Sequence, residues 1–188
     1  MTVTFHEVAH GYVAYAFGDT TARQMGRLTF NPLKHIDIWW TVVLPLMLIF
    51  LGLPAIGMAK PVPVNFMNLH NPKRDMILVA AAGPIANIIL ASVLVLFYKL
   101  SGYHVLLYCV YFNLGLAIFN LLPLPPLDGS RILVGLLPSE LGALVWRMEY
   151  LGFIVVLVLF YLGWLTQLVI PGINFFCQIY DIPLIRFR

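Results

Sequence analysis

Charge is what this sequence has least of. Asp, Glu, Lys and Arg make up 10% of its 188 residues, while 61% are hydrophobic and mean hydropathy is +0.91. An average soluble domain is about 25% charged. Too few charges are present to cover a soluble core of this size, and a bilayer is the better solvent. The net charge of +3 comes without any long basic run. Nothing here suits nucleic acid, whereas basic residues scattered between apolar segments suit lipid headgroups. Cysteine is scarce as well. Cys109 and Cys177 form no C-x-x-C pair, lie in apolar surroundings and read as small core residues. No cleavable signal peptide, low-complexity tract, internal repeat or long soluble domain is visible.

What the sequence has in plenty is apolar length. Residues 39–58, 76–98, 103–127 and 150–180 contain no Asp, Glu, Lys or Arg. Each reaches the roughly 20 residues that cross a hydrocarbon core. The last is too long for one helix, and Pro171-Gly172 is expected to end it, with residues 175–180 in the interface. Residues 1–17 supply a fifth helix candidate. The expected fold class is an all-α polytopic membrane protein with about five transmembrane helices. It forms one membrane-embedded domain over 1–188, with a core at about 3–138, a C-terminal helix at about 149–170 and an interfacial tail. Gly18, Gly26, Asn31, Pro32 and the alternation in "RLTF" predict a small β-hairpin over 20–36. Pro61, Pro63 and Pro72 predict an extended loop over 59–75. Trp39 and Trp40 read as an aromatic belt. If five helices alternate, Arg23, Arg27, Lys34, Lys99, Arg186 and Arg188 face one side. Lys60, Lys73, Arg74, Arg131 and Arg147 face the other, and six against five sets no orientation.

Against that apolar background, "FHEVAHG" at residues 5–11 is conspicuous. It contains H-E-x-x-H: His6, Glu7 and His10. Residues i and i+4 share a helix face, so both imidazoles can reach one metal ion. Glu7 can then approach a water on that ion, the arrangement of zinc peptidases. Ionisable groups at membrane depth are costly and usually functional. A catalytic zinc takes about three protein ligands plus water. No further His follows closely, so the third ligand lies elsewhere, among Asp19, Asp37, Asp75, Asp128, Glu140, Glu149 and Asp181.

Asp128 lies in "NLLPLPPLDGSRIL", residues 120–133. Pro123, Pro125 and Pro126 cannot continue a regular helix, and unwound backbone at membrane depth must be buried or line a cavity. Asp128 is there either a metal ligand or the opening residue of the helix "GSRILVGLL". In "AAGPIAN", residues 81–87, Gly83-Pro84 permits a kink and close approach. Asn87 is then either an interhelical hydrogen-bonding group or a donor to substrate or oxyanion. Asn113 and Asn120 share a helical face and read as interhelical partners. His35 can approach metal or substrate, His70 reads as solvated and His104 as interfacial.

"HEVAH" on an apolar helix, then "AAGPIAN", then "NLLPLPPLDG" resemble, in order and separation, the site-2 protease family of intramembrane zinc metalloproteases. The resemblance covers roughly residues 3–138. "GRLTFNPLKHID" and "AKPVPVN" are similar to the compact bacterial and archaeal members, without PDZ or CBS module. It implies one zinc ion on His6, His10 and Asp128, rather than on Glu140 or Glu149, with Glu7 as general base. Asn87 and His35 would act near substrate or oxyanion. The implied activity is hydrolysis of a peptide bond in or near a transmembrane segment of a protein substrate, in a prokaryotic cell membrane. The "GRLTF" segment would pair with the unwound substrate by edge addition. Family members usually carry a transmembrane segment before this motif, and here five residues precede His6, a departure from the family's pattern. The rival readings are a metal-binding transporter and an inactive scaffold of the same fold. The presence of Glu7 favours the enzyme.

Overall fold

A computed structural model describes residues 1–52, 57 and 59–185. These fold entirely as helices and irregular segments, with no strand among the described residues. The α-helices are α1 (Thr2–Ala16), α2 (Thr21–Gln24), α3 (Leu44–Phe50), α4 (Pro72–Ser101), α5 (Val105–Leu121), α6 (Asp128–Leu136), α7 (Ser139–Arg147), α8 (Glu149–Tyr161) and α9 (Trp164–Tyr180).

The 30-residue α4 is the hub, with α5, α1 and α6 packed along it. Its ends follow local chemistry. Pro72 sits at the start, where a missing N–H costs nothing, and the Asp75 carboxylate accepts the Asn71 N–H at 2.7 Å. Gly102 closes it at φ 72°, a left-handed cap that suits glycine. One buried apolar cluster joins α4, α5 and α9 through Ala91, Val95, Leu107, Val110, Leu114, Ile173 and Cys177. A smaller one (Ala14, Leu69, Met76 and Val79) lies between α1 and α4. Asn113 donates to Thr2 Oγ1 at 3.1 Å and so ties α5 to α1, whereas Asn120 bonds back to Leu116 of its own helix. Cys177 is buried, but Cys109 is exposed and is not a core residue.

The five-span expectation is corrected by helix length. Among the described residues only α4 is long and apolar enough to cross a membrane as one helix. The 17-residue α5 would rise about 25 Å, short of a core about 30 Å thick. α7 and α8 pass the same test jointly, but bend by 59° between them. The 39–58 window splits into a π-helical turn (Ile38–Val43) and the short α3, its residues 53–56 and 58 lying outside the described residues. The final window breaks at Gly163, at φ 72°, rather than at Pro171, which α9 accommodates in its interior. Arg186 and Arg188, counted above for orientation, also lie outside the described residues.

The β-hairpin is corrected too. Residues 20–36 form α2, an irregular stretch and a 3₁₀ turn (Pro32–His35) capped by the Asn31 side chain. The reason lies in the neighbouring segment. Arg27 bonds to the carbonyls of Lys60 and Pro61, so residues 60–63 run alongside. Pro61 and Pro63 have no N–H, which denies a ladder its donors. Pairing of a substrate with a "GRLTF" strand falls with that strand.

Candidate metal and catalytic site

On α1, Thr4, His6, Val8, His10, Gly11 and Ala14 are buried. The two imidazoles, one turn apart, point toward the middle of α4 and the start of α6. His10 Nδ1 lies 2.7 Å from the Val79 carbonyl oxygen, which only accepts, so Nδ1 carries a proton and Nε2 is the nitrogen that can offer a lone pair to a metal. His10 Nε2 is 3.1 Å from His6 Nε2. The Asp128 Oδ2 atom is 3.0 Å from His6 Nε2 and 3.3 Å from His10 Nε2.

Asp128 reaches this place because the chain unwinds after α5. Leu122 is extended, Pro125–Pro126 is a cis pair, and α6 begins at Asp128 itself. Both residue-level readings of Asp128 thus meet in one residue. It opens a helix, yet its carboxylate makes no capping bond and turns to the histidines. Gly129 allows the approach, since a β-carbon there would collide with the carbonyl oxygens of Leu121 and Leu122. Gly83 does the same for α4. A β-carbon there would stand 2.6 Å from His6 Cε1 and 2.7 Å from His10 Cε1.

The three donor atoms fit a zinc ion. Tetrahedral zinc with ligand bonds of about 2.0 to 2.2 Å has ligand-to-ligand edges of about 3.3 to 3.6 Å. The observed edges of 3.0, 3.1 and 3.3 Å form a nearly regular triangle slightly smaller than that. Asp128 Oδ2 is buried and makes no hydrogen bond, as suits an atom whose partner is a cation. Among the described residues His6, His10 and Asp128 are the one group of three His, Cys, Asp or Glu placed to share a metal ion.

Glu7 is half-buried, and its Oε2 accepts the Val62 N–H at 2.8 Å. Because Pro61 and Pro63 flank Val62, this is the single backbone donor of that triplet. The loop carrying it is held at both ends. Lys60 N–H donates to the His35 carbonyl at 2.9 Å, and Arg27 grips the Lys60 and Pro61 carbonyls. Asn65 N–H donates at 2.7 Å to Asp19, a buried carboxylate that also accepts from Thr21 and Asn68. Burial pushes the Asp19 carboxyl up, but the hydrogen bonds from Thr21, Asn65 and Asn68 outweigh it and leave it below the usual carboxylate range. The sequence reading missed this Glu7–Val62 contact. The proline spacing in "KPVPV" was its one visible signal, marking an N–H with no competitor beside it.

The other candidates fall elsewhere. Asn87 is fully buried beside His6, with its Nδ2 3.2 Å from His6 Nδ1. His35 is buried, bonds to the Thr29 carbonyl at 2.9 Å and is outside the metal-competent group. His70 is exposed, and its backbone N–H bonds to Phe17. Glu140 is exposed in the first turn of α7. Glu149 pairs with Arg131 at 3.3 Å.

The chain matches Peptidase family M50 over residues 1–106 and 99–163. It is a member of that family. It is 41% identical over 174 residues to "Putative zinc metalloprotease YwhC" of Bacillus subtilis, covering 85% of this chain and 76% of the relative. It is 30% identical over 182 residues to "Putative zinc metalloprotease Rip2" of Mycolicibacterium smegmatis, covering 93% of this chain and 66% of that one. The Mycobacterium tuberculosis protein of the same name is 30% identical over 165 residues, of which 62% of its length is covered. The chain therefore spans about three quarters of the first relative and less than two thirds of the last. No solved structure is significantly similar to it. Membership in M50 bears out the resemblance to the site-2 proteases, and zinc-dependent proteolysis is the activity that goes with the family. A membrane setting agrees with α4, the span candidate.

Proposed function

We propose that this M50 chain is a zinc-dependent intramembrane endopeptidase that cuts a membrane-protein substrate in or near a transmembrane segment. The observation that carries the reading is the triangle of His6 Nε2, His10 Nε2 and Asp128 Oδ2, with Glu7 beside it on α1. These residues would hold one zinc ion. Zinc supplies a Lewis acid that brings the pKa of a water toward about 7 and polarises the scissile carbonyl. Glu7 takes the proton of the attacking water and passes it to the leaving amine as the C–N bond breaks. The Val62 N–H fixes the Glu7 rotamer, so the carboxylate spends no freedom in finding the water. His10 is oriented by Val79, which keeps its Nε2 free for the metal. The substrate helix must unwind locally, because its amides are otherwise shielded by their own hydrogen bonds.

The molecule sits in a bacterial cell membrane and crosses it more than once. Large apolar side chains exposed on α5 (Val105, Tyr108, Phe112) and α8 (Leu151, Ile154, Val158) support this, since a soluble protein rarely shows such a surface. The deciding experiment incubates purified protein with a reporter transmembrane substrate, with and without a zinc chelator. Cleavage that stops with chelator and returns with zinc is expected. Zinc binding without any cleavage would point instead to a metal carrier or an inactive scaffold.

A further inference from the structure

Asn87 is placed behind the metal site rather than in front of it. It is fully buried on α4, and the atom it meets is Nδ1 of His6, at 3.2 Å. The opposite nitrogen, Nε2, is the one that faces Asp128 and His10. A neutral imidazole that gives its Nε2 lone pair to a metal carries its proton on Nδ1. That proton needs an acceptor. His10 has one in the Val79 carbonyl. For His6, among the described residues, Asn87 is the only hydrogen-bonding partner at Nδ1. Its amide oxygen, Oδ1, is buried and has no hydrogen-bond partner of its own. A half-turn about Cβ–Cγ exchanges the two ends of the amide within the same envelope and brings Oδ1 to Nδ1.

We infer that Asn87 is a positioning residue that accepts the His6 Nδ1 proton through Oδ1, and so fixes the tautomer and ring orientation in which His6 binds zinc. This rests on the zinc reading above and changes the role of Asn87 within it. A donor to the oxyanion would use the amide N–H on substrate. A positioning residue uses the amide oxygen on His6 and never touches substrate. The packing favours the second role, since a side chain with no exposed surface, closed in behind the imidazole, offers nothing to an incoming peptide.

The two roles separate cleanly at Asn87→Asp. A carboxyl group keeps the acceptor oxygen and lacks the amide donor. Zinc affinity of the full-length chain in detergent would be measured by competition with a chromophoric chelator, for the wild type, Asn87→Asp and Asn87→Ala, with helix content checked by circular dichroism. Losing an outer-shell partner of a metal-bound histidine typically weakens the metal about 10- to 100-fold. Asn87→Ala is expected to weaken zinc by that factor, and Asn87→Asp to bind within about threefold of the wild type or tighter. Unchanged zinc affinity in Asn87→Ala would overturn the inference. So would Asn87→Asp losing as much as Asn87→Ala, or keeping full zinc affinity while Asn87→Ala does the same. If Asn87→Ala fails to fold, Asn87→Asp decides alone: near-wild-type binding supports the role, and a tenfold loss sinks it. A wild type that binds no zinc is a separate result, because it removes the metal reading itself and the inference with it.

Discussion

The meeting point of α1, α4 and α6 differs from the C-terminal pair α8 and α9 in what each element buries. α1 buries two histidines along one face, and α4 brings to them Gly83, Asn87 and the Val79 carbonyl. α8 buries only Gly152, where a β-carbon would collide with Pro125. In the first region the imidazole nitrogens and Glu7 Oε2 each have a partner at a defined distance, and Asp128 Oδ2 is aimed at the shared centre. The second region is held mainly by apolar contact, with the Arg131–Glu149 pair on α8 and, on α9, hydrogen bonds of Tyr180 to Ser92 and of Asn174 to the Ile185 backbone; Arg131 also lies over Phe66 and Trp146. Geometry is therefore tightly constrained in one and tolerant in the other. Substitutions should show it.

The largest effect is expected at Glu7. Glu7→Gln is nearly isosteric and still accepts the Val62 N–H, but cannot take a proton. Cleavage should fall about 10² to 10⁴-fold while bound zinc, read by elemental analysis, stays near one per chain. Wild-type turnover in this variant would remove Glu7 as the base. Next comes Asp128→Asn, which keeps the shape and loses the negative charge. Zinc affinity and activity should drop together, while Glu140→Gln and Glu149→Gln leave zinc affinity nearly unchanged. The third test is Gly83→Ala. The added methyl has to displace both imidazoles, and overpacking of this kind costs about 1 to 3 kcal/mol. Its expected signature is weakened zinc together with a lowered melting temperature. A variant as stable and as zinc-loaded as the wild type would show that α1 and α4 are less closely fitted than the distances imply.

A smaller effect is expected from acid. The folded Asp19 carboxyl titrates below its unfolded value of about 3.9. The stability it contributes is present above that unfolded value and is lost as pH falls through the folded one. Thermal stability in detergent should therefore be insensitive to Asp19 above about pH 5 and drop below about pH 4. Asp19→Asn should shrink that acid step, and an unchanged acid profile would contradict the assignment. The smallest effect belongs to α8. Ile154 is half exposed, and Ile154→Ala should change stability by no more than about 0.5 kcal/mol. A loss of several times that figure would mean that α8 packs against something that its exposed face does not reveal.

The legible parts of this molecule were those in which chemistry is local. The i, i+4 spacing of His6 and His10 puts two imidazoles on one helix face whatever surrounds them, and a run of prolines before Asp128 must unwind in any fold. Helix endings were less legible. Pro171 reads as a stop and Gly163 does not, yet α9 runs through the first and the break falls at the second. The alternation in "RLTF" reads as a strand, but a strand needs a partner, and Pro61 and Pro63 in the adjacent segment withhold the donors. Apolar windows report how long the chain stays free of charge, not how long it stays helical. That is why four windows became one continuous span candidate among the described residues.

By itself the sequence determined the solvent, the motif and the spacing of the two histidines, because each depends on composition or on a few consecutive residues. The tertiary structure decided the rest. Only packing could bring Asp128, more than a hundred residues away, to 3.0 Å from His6, set Val62 against Glu7 and close Asn87 in behind the imidazole. These contacts depend on glycines that let helices approach and on loops that aim single N–H groups. A one-dimensional pattern can indicate that such residues are present, but which atoms they bring together is settled by the close packing of the whole.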